Sequence, residues 1–239
     1  MPMLLSPIAE ALSRQGFAFV HGDATRAALD GFGLADWAGF ANSWNDLGVD
    51  AYMADGGRYR RRRFAAYAVS RGGVLRKPHQ PHYQSMDYNA LNGGIERWFS
   101  PVAEEIGAHP AMLAAIRTGF ALFDPLTPRA ARPEVWHVEA HQFRIEANAR
   151  EAGRPTPEGL HRDGVDWVFV LLVGRDNVAR GETTTHGLTG EKLGAFTLTQ
   201  PCDAAFVDDS RVFHGVTPVT PIDPEKPASR DVLVLTFRR

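Results

Sequence analysis

The chain has 239 residues, 44% of them hydrophobic, and 26 Lys and Arg stand against 28 Asp and Glu for a formal net charge of -2. That balance argues against a polyanion-binding protein, and no apolar run approaches the roughly 18 residues of a membrane span. One cysteine, Cys202, excludes an internal disulfide and makes a cytoplasmic location the simpler expectation.

Residues 1–16 read as an amphipathic helix ending near Gly16, without the basic start and longer apolar core of a secretory signal. In 25–47, Leu29, Phe32, Trp37, Phe40 and Trp44 recur at helical spacing, broken by Gly31, Gly33 and Gly39. Residues 59–69 alternate like a strand, which puts Arg60 and Arg62 on one face and Arg61 and Arg63 on the other. Clustered guanidinia invite a nucleic-acid reading, but no second basic cluster accompanies them. The better expectation is that one pair, Arg60 and Arg62, approaches a site and holds a substrate carboxylate. Residues 95–106 and 110–120 suggest two more helices.

In the strand 141–146, Gln142 and Arg144 share a face and could contact a cosubstrate; a surface strand pairing through Glu146 is the alternative. A loop at 148–157 follows, then strands at 167–173, 194–199, 204–207, 211–219 and 231–238, punctuated by Gly, Pro, Asp and Asn. The expectation is one domain, 1–239, of α+β but mainly β class. Residues 1–130 would give a helical cover and first strands, with the helices packed on one sheet. Residues 131–239 would give a double-stranded β-helix, a cupin-like jelly roll with its site in the open mouth.

The chemistry is carried by His161, Asp163 and His214, a His-x-Asp pair followed 51 residues later by a lone His. On an extended strand, residues i and i+2 project from one face, so His161 and Asp163 can reach one ion while Arg162 points away. Two imidazoles and one carboxylate leave the opposite positions open, the facial arrangement of non-haem Fe(II) oxygenases. Arg230 lies 16 residues further on and shares a strand face with Val232, Val234 and Thr236. A guanidinium among apolar neighbours needs a partner, and its bidentate fork suits the distal carboxylate of 2-oxoglutarate. By the same alternation Trp167 shares the face of Asp163 and would wall the pocket, while Asp166 points away. Asp208 and Asp209 are the rivals to Asp163, more plausible as turn residues. His21, His79, His82, His109, His137, His141 and His186 show no ligand spacing.

The segments PTPEGLHRDGVDWV, DDSRVFHGVTPV and SRDVLVLTF, with GGRYRRRRFAAYAV (56–69) and NGGIERWF (92–99) upstream, resemble the bacterial 2-oxoglutarate and Fe(II)-dependent dioxygenases that hydroxylate free L-amino acids. This is the L-isoleucine 4-hydroxylase group, which includes biofilm-stress proteins. The resemblance implies iron ligands at His161, Asp163 and His214, a cosubstrate partner at Arg230, and Fe(II), 2-oxoglutarate and O2 as cofactor and cosubstrates. It implies hydroxylation, or sulfoxidation, of an aliphatic or sulfur-containing amino acid, with 2-oxoglutarate decarboxylated to succinate. The substrate is expected to be a small molecule, with no nucleic acid or membrane partner, and a homodimer is compatible with the chain. Two other readings remain at this point: a metal barrel of other chemistry, such as a zinc hydrolase or cupin-like isomerase, and a regulatory protein on the same scaffold.

Overall fold

The computed structural model describes residues 2–89, 91 and 93–239; Met1 of the first expected helix and Asn92 of the NGGIERWF segment lie outside them. The strands are β1 (Phe17–Val20), β2 (Arg60–Ser70), β3 (Gly73–Arg76), β4 (His82–Tyr83), β5 (Glu96–Arg97), β6 (Trp136–Ala147) and β7 (Trp167–Asp176). They continue as β8 (Val178–Arg180), β9 (Thr183–Gly187), β10 (Lys192–Phe196), β11 (Ala204–Asp208), β12 (Val212–Val216), β13 (Val219–Pro221) and β14 (Ala228–Arg238). The helices are α1 (Ser6–Gln15), α2 (Gly22–Asp30), α3 (Trp37–Asn42), α4 (Glu104–Gly107) and α5 (Pro110–Leu126).

Seven strands form an antiparallel sheet in the order β1-β11-β7-β14-β6-β2-β3, and three form a smaller sheet, β10-β9-β12. Period-2 alternation divides the large sheet into two faces. On β14, Leu233, Leu235 and Phe237 enter a core with Leu12 of α1, Leu29 of α2, Phe40 of α3 and Met112, Ile116 and Phe123 of α5. The other face, with Arg230, Val232, Val234 and Thr236, lines a cavity closed on its far side by Thr183, His214 and Val216 of the smaller sheet. Removing Phe123, which is fully buried, would cost about 3–5 kcal/mol through lost transfer and the void left behind.

Local sequence explains the element ends. In α1 Pro7 stands in the first turn, Ile8, Ala9 and Leu12 give the buried stripe, and Gly16 at φ 79° closes the helix by donating its N–H to Leu12 O at 2.9 Å. The segment 25–47 breaks into α2, α3 and a 3-10 turn, Ser43–Asp46, with Gly33 at φ 90° between them. The stretch Glu104–Leu126 is long and apolar enough for a membrane span by composition, yet Met112, Ile116, Leu122 and Phe123 are buried in the core.

Two expectations fail for identifiable reasons. Residues 95–106 are not a helix: Phe64 on β2 donates to Ser100 O and accepts from Val102 N, each at 2.9 Å, drawing this segment out beside the strand and leaving only α4. The strand expected over 211–219 ends at Val216, before Pro218, which has no N–H for the ladder, and the chain resumes as β13 in another pair. Strand β9, which carries the polar run Thr183, Thr184 and Thr185, had no strand signal in apolar alternation.

Candidate active site

The cavity has a volume of about 370 Å³. Val168, Val170, Val207, Val216, Val232 and Val234 give it apolar walls, and arginines, carboxylates and histidines line the rest.

His161, Asp163 and His214 converge as the spacing predicts: their ligand atoms lie within 4.8 Å of one another. His161 Nε2 is 3.7 Å from Asp163 Oδ1, and His214 Nε2 is 3.4 Å from Asp163 Oδ2. The two histidines are backbone partners, each amide donating to the other's carbonyl at 2.9 Å, which ties the metal segment to β12. His161 Nδ1 donates to Gly159 O at 3.1 Å, so that Nε2 is the nitrogen turned to the site. Burial pushes His161 down, but the hydrogen bond and charge of Asp163, with Glu158, outweigh it and raise it to about 9. The same two imidazoles hold the Asp163 carboxyl well below its ordinary value against the effect of burial. A metal ion would take the place of that proton.

The turn after His161 is organised by Asp209. Its carboxylate accepts from three successive amides, Asp163 at 2.9 Å, Gly164 at 2.8 Å and Val165 at 3.1 Å. Asp209 is thus a turn residue, not a ligand, and Gln84 Nε2 adds a bond to Asp163 O at 3.0 Å.

Arg230 lies at the other end of the large sheet's inner face. Across the ladder it aligns with Ile145 and, beyond it, Arg60, whereas Thr236 aligns with Glu139. Six residues of strand separate those rows, about 20 Å. Arg230 is 3% exposed, its Nε has no hydrogen-bond partner among the described residues, and burial with the nearby Arg175 lowers it to about 10.

Arg60 and Arg62 line the cavity as expected, but they share a buried carboxylate: Asp50 Oδ2 is 2.8 Å from Arg60 Nε and 3.6 Å from Arg62 Nη1. Arg62 is also sandwiched between the rings of Phe99 and Phe143, 3.5 and 4.4 Å from their centroids. On the opposite face Arg61 pairs with Glu146 and Arg63 with Asp46.

Three expected site residues point elsewhere. The cavity is lined by the odd-numbered residues of β6, from His137 to Ile145, so Gln142 and Arg144 face the helix side. Gln142 Nε2 bonds Ser43 Oγ at 2.9 Å, and Arg144 grips Asp231 at 2.7 and 2.8 Å. Trp167 does not wall the pocket either; it stacks on Phe123 at 5.1 Å and donates to Thr127 Oγ1 at 3.0 Å. Gly164, at φ 77°, breaks the extended chain between Asp163 and Trp167, so strand parity does not carry across.

Sequence reasoning missed a second group. Glu139 Oε2 lies 2.8 Å from His82 Nδ1 and 3.6 Å from His141 Nε2, and Oε1 lies 3.3 Å from His137 Nε2. His137, Glu139 and His141 stand at i, i+2 and i+4 of one strand face, which was the available signal. Arg97 was also missed, because 95–106 read as a helix; it is 3% exposed and lines the cavity.

A family model described as 2OG-Fe dioxygenase matches residues 41–236, which is most of the chain. The chain belongs to the 2OG-Fe dioxygenase family. Among its relatives is a 3(1)-hydroxy-L-isoleucine 4-dioxygenase of Pantoea ananatis, 25% identical over 241 residues, covering 95% of this chain and 94% of that one. Another is the L-isoleucine-4-hydroxylase of Bacillus thuringiensis, 27% identical over 223 residues, covering 91% and 83%. The solved structure of a bsmA homologue from Methylobium petroleophilum superposes with a TM-score of 0.89 at 38% identity, covering 100% of this chain and 94% of that one. As a 2OG-Fe dioxygenase the protein is an oxidoreductase that requires Fe(II), 2-oxoglutarate and O2.

Proposed function

We propose that this dioxygenase hydroxylates, or sulfoxidises, a free aliphatic or sulfur-containing L-amino acid. The observation that carries the reading is the cavity of about 370 Å³, small, valine-walled and framed by guanidinia, with His161, Asp163 and His214 on one side and Arg230 deep in it. Such a space suits two small carboxylates and one short apolar side chain, and the two curated relatives act on isoleucine or a hydroxylated form of it. The chain is read as one catalytic unit on a double-stranded β-helix with the helices packed against its larger sheet, acting in the cytoplasm.

The residues present fit the groups the family requires. Two imidazoles with nitrogens facing a shared carboxylate are the donor set for Fe(II), and the orphaned Nε of buried Arg230 suits the distal carboxylate of 2-oxoglutarate. When bound, iron and 2-oxoglutarate supply an oxidative decarboxylation coupled to oxygen insertion at an unactivated carbon or sulfur. The protein's part is placement. Asp209 and Gln84 fix the turn that presents Asp163, the histidine pair fixes two ligand directions, and the valine walls keep water from the reacting carbon. Arg60 and Arg62, with only Asp50 between them, leave the wall net positive, which favours carboxylates of both cosubstrate and substrate.

Anaerobic titration with Fe(II) and 2-oxoglutarate, followed by O2 and a panel of free L-amino acids with succinate readout, tests this reading. A visible charge-transfer band that is lost in His161→Ala and Arg230→Ala, with succinate stimulated by an aliphatic or sulfur-containing amino acid, is expected. A band without stimulation by any of them would remove the amino-acid reading and leave the dioxygenase.

A further inference from the structure

Most charged groups around the cavity answer one another. Arg60 and Arg62 share Asp50, and Glu139 is held by three histidines. Among the described residues, orphaned atoms remain on Arg62 and Arg230, and also on two oppositely charged groups tied to the metal segment. Glu158 Oε2 is buried with no hydrogen-bond partner among the described residues, and so is Arg97 Nε. Among the described residues no carboxylate lies within 4.0 Å of the Arg97 guanidinium, which donates from Nη2 to Gln84 Oε1 at 3.3 Å. Glu158 has one ion-pair contact among the described residues, His161, its Oε1 3.6 Å from Nε2. A buried carboxylate oxygen and a buried guanidinium nitrogen left without partners are each costly, and the cost disappears when a ligand supplies the missing halves.

Both groups are tied to the metal segment. Glu158 stands three residues before His161 and beside its ring. Arg97 is linked to it through Gln84, which accepts from Arg97 and donates to Asp163 O at 3.0 Å. Both line the same cavity, where burial and then Arg60 lower the Arg97 guanidinium while Asp50, Glu158 and Glu139, in that order, pull it back up. They do not pair directly, so a gap stays between a negative and a positive group in the one chamber.

We propose that Glu158 and Arg97 form the seat for the zwitterion of the amino-acid substrate, Glu158 receiving the α-ammonium and Arg97 the α-carboxylate. This rests on the amino-acid reading above. An α-amino acid carries its two charged groups on one carbon, so a seat beside His161 would fix Cα on the side of the cavity where the ligand histidines stand and leave the side chain to lie along the valine walls. Glu139 is the rival for the ammonium, but its two oxygens already face three imidazoles. Arg62 Nη2 at 2.6 Å from His141 Nδ1, and Lys77 Nζ at 2.7 Å from His137 Nδ1, are obligate donors, which assigns the Nε2–H tautomer to both rings and turns those protons to Glu139.

The test is calorimetric titration of protein loaded with Ni(II) and 2-oxoglutarate. The probes are L-isoleucine, L-leucine and L-methionine, and their desamino analogues 3-methylpentanoate, 4-methylpentanoate and 4-(methylthio)butanoate. In the native chain at least one amino acid should bind roughly 10- to 100-fold more tightly than its desamino analogue, the range for a hydrogen bond to a charged group. Glu158→Gln should remove that difference and leave desamino binding unchanged, whereas Arg97→Gln should weaken both probes alike. Equal binding of amino and desamino probes by the native chain overturns the assignment without need of a variant. So does an ammonium-specific loss in Glu139→Gln and not in Glu158→Gln, or loss of Ni(II) itself in a folded Glu158→Gln. If no amino acid binds while Ni(II) and 2-oxoglutarate do, the amino-acid reading falls and this seat with it.

Discussion

Two clusters of the same residue types stand in one cavity. His161, Asp163 and His214 face His82, Glu139 and His141, and each trio brings its ligand atoms within 4.8 Å. What separates them is the next layer of partners. Around the first trio the outer contacts are a carbonyl and amides: Gly159 O orients His161, and the donors to Asp209 are backbone N–H groups. Around the second, Arg62 reaches the His141 ring nitrogen, Lys77 does the same to the adjoining His137, and His82 spends its Nδ1 on Glu139. A cation on one nitrogen of an imidazole fixes a proton on the other, so the second trio is committed to hydrogen bonds and the first is free to take a metal. Counting histidines and carboxylates does not distinguish the two; their neighbours do.

The sharpest way to break that comparison is metal stoichiometry. His161→Ala or His214→Ala should abolish the single tight Fe(II) or Ni(II) equivalent and lower turnover by about 1000-fold or more, while Glu139→Gln should retain one equivalent. Glu139→Gln should instead lower stability by about 1–3 kcal/mol, the range for a buried hydrogen-bonded charge. Two equivalents in the native chain, one of them lost in Glu139→Gln, would mean that the second trio also binds metal.

Next in size is the cosubstrate end. Arg230→Ala should raise the KM for 2-oxoglutarate by roughly 10- to 100-fold, whereas Gln142→Ala should leave it unchanged and cost about 1 kcal/mol through its bond to Ser43. A KM effect of Gln142→Ala would show that its placement on the helix side is wrong.

The smallest effect is on pH dependence. Burial lowers His141 from 6.5 to about 3, with Arg62 and His82 adding to it, so the folded chain keeps this ring neutral where an unfolded chain would protonate it. Stability from this group is therefore full above about pH 6.5 and is lost as pH falls toward 3. Glu139, held by its three imidazoles well below its ordinary value although burial opposes them, acts in the same direction at lower pH. Melting temperatures between pH 7.5 and 4.5 should fall on acidification, and His141→Gln should flatten the upper part of that slope. An unchanged slope would place the titration elsewhere.

The parts of the site legible in the sequence were those that strand parity carries within one uninterrupted strand. Arg230, Val232, Val234 and Thr236 share the cavity face of β14 because nothing breaks the alternation among them. His161 and Asp163 are near neighbours whose spacing alone restricts where they point. Parity failed where the chain turned, as at Gly164, and where both faces of a strand carry polar groups. On β6, Gln142 and Arg144 look as polar as Glu139 and His141, and only the pairing with β14 and β2 tells which face is inside. Arg97 and Glu158 were out of reach for another reason. Their roles come from tertiary contacts to Gln84 and His161 that no local pattern encodes.

The three bonds from Asp209 to the amides of residues 163–165 also bear on the order in which the chain is made. A growing chain that has reached residue 200 holds His161 and Asp163 but neither the third ligand nor the carboxylate that shapes their turn. Iron in a half-built site with open positions would generate damaging oxygen species. Because Asp209 lies in the turn between β11 and β12 and His214 on β12, the polypeptide can grip redox-active iron only once synthesis and folding have passed β12.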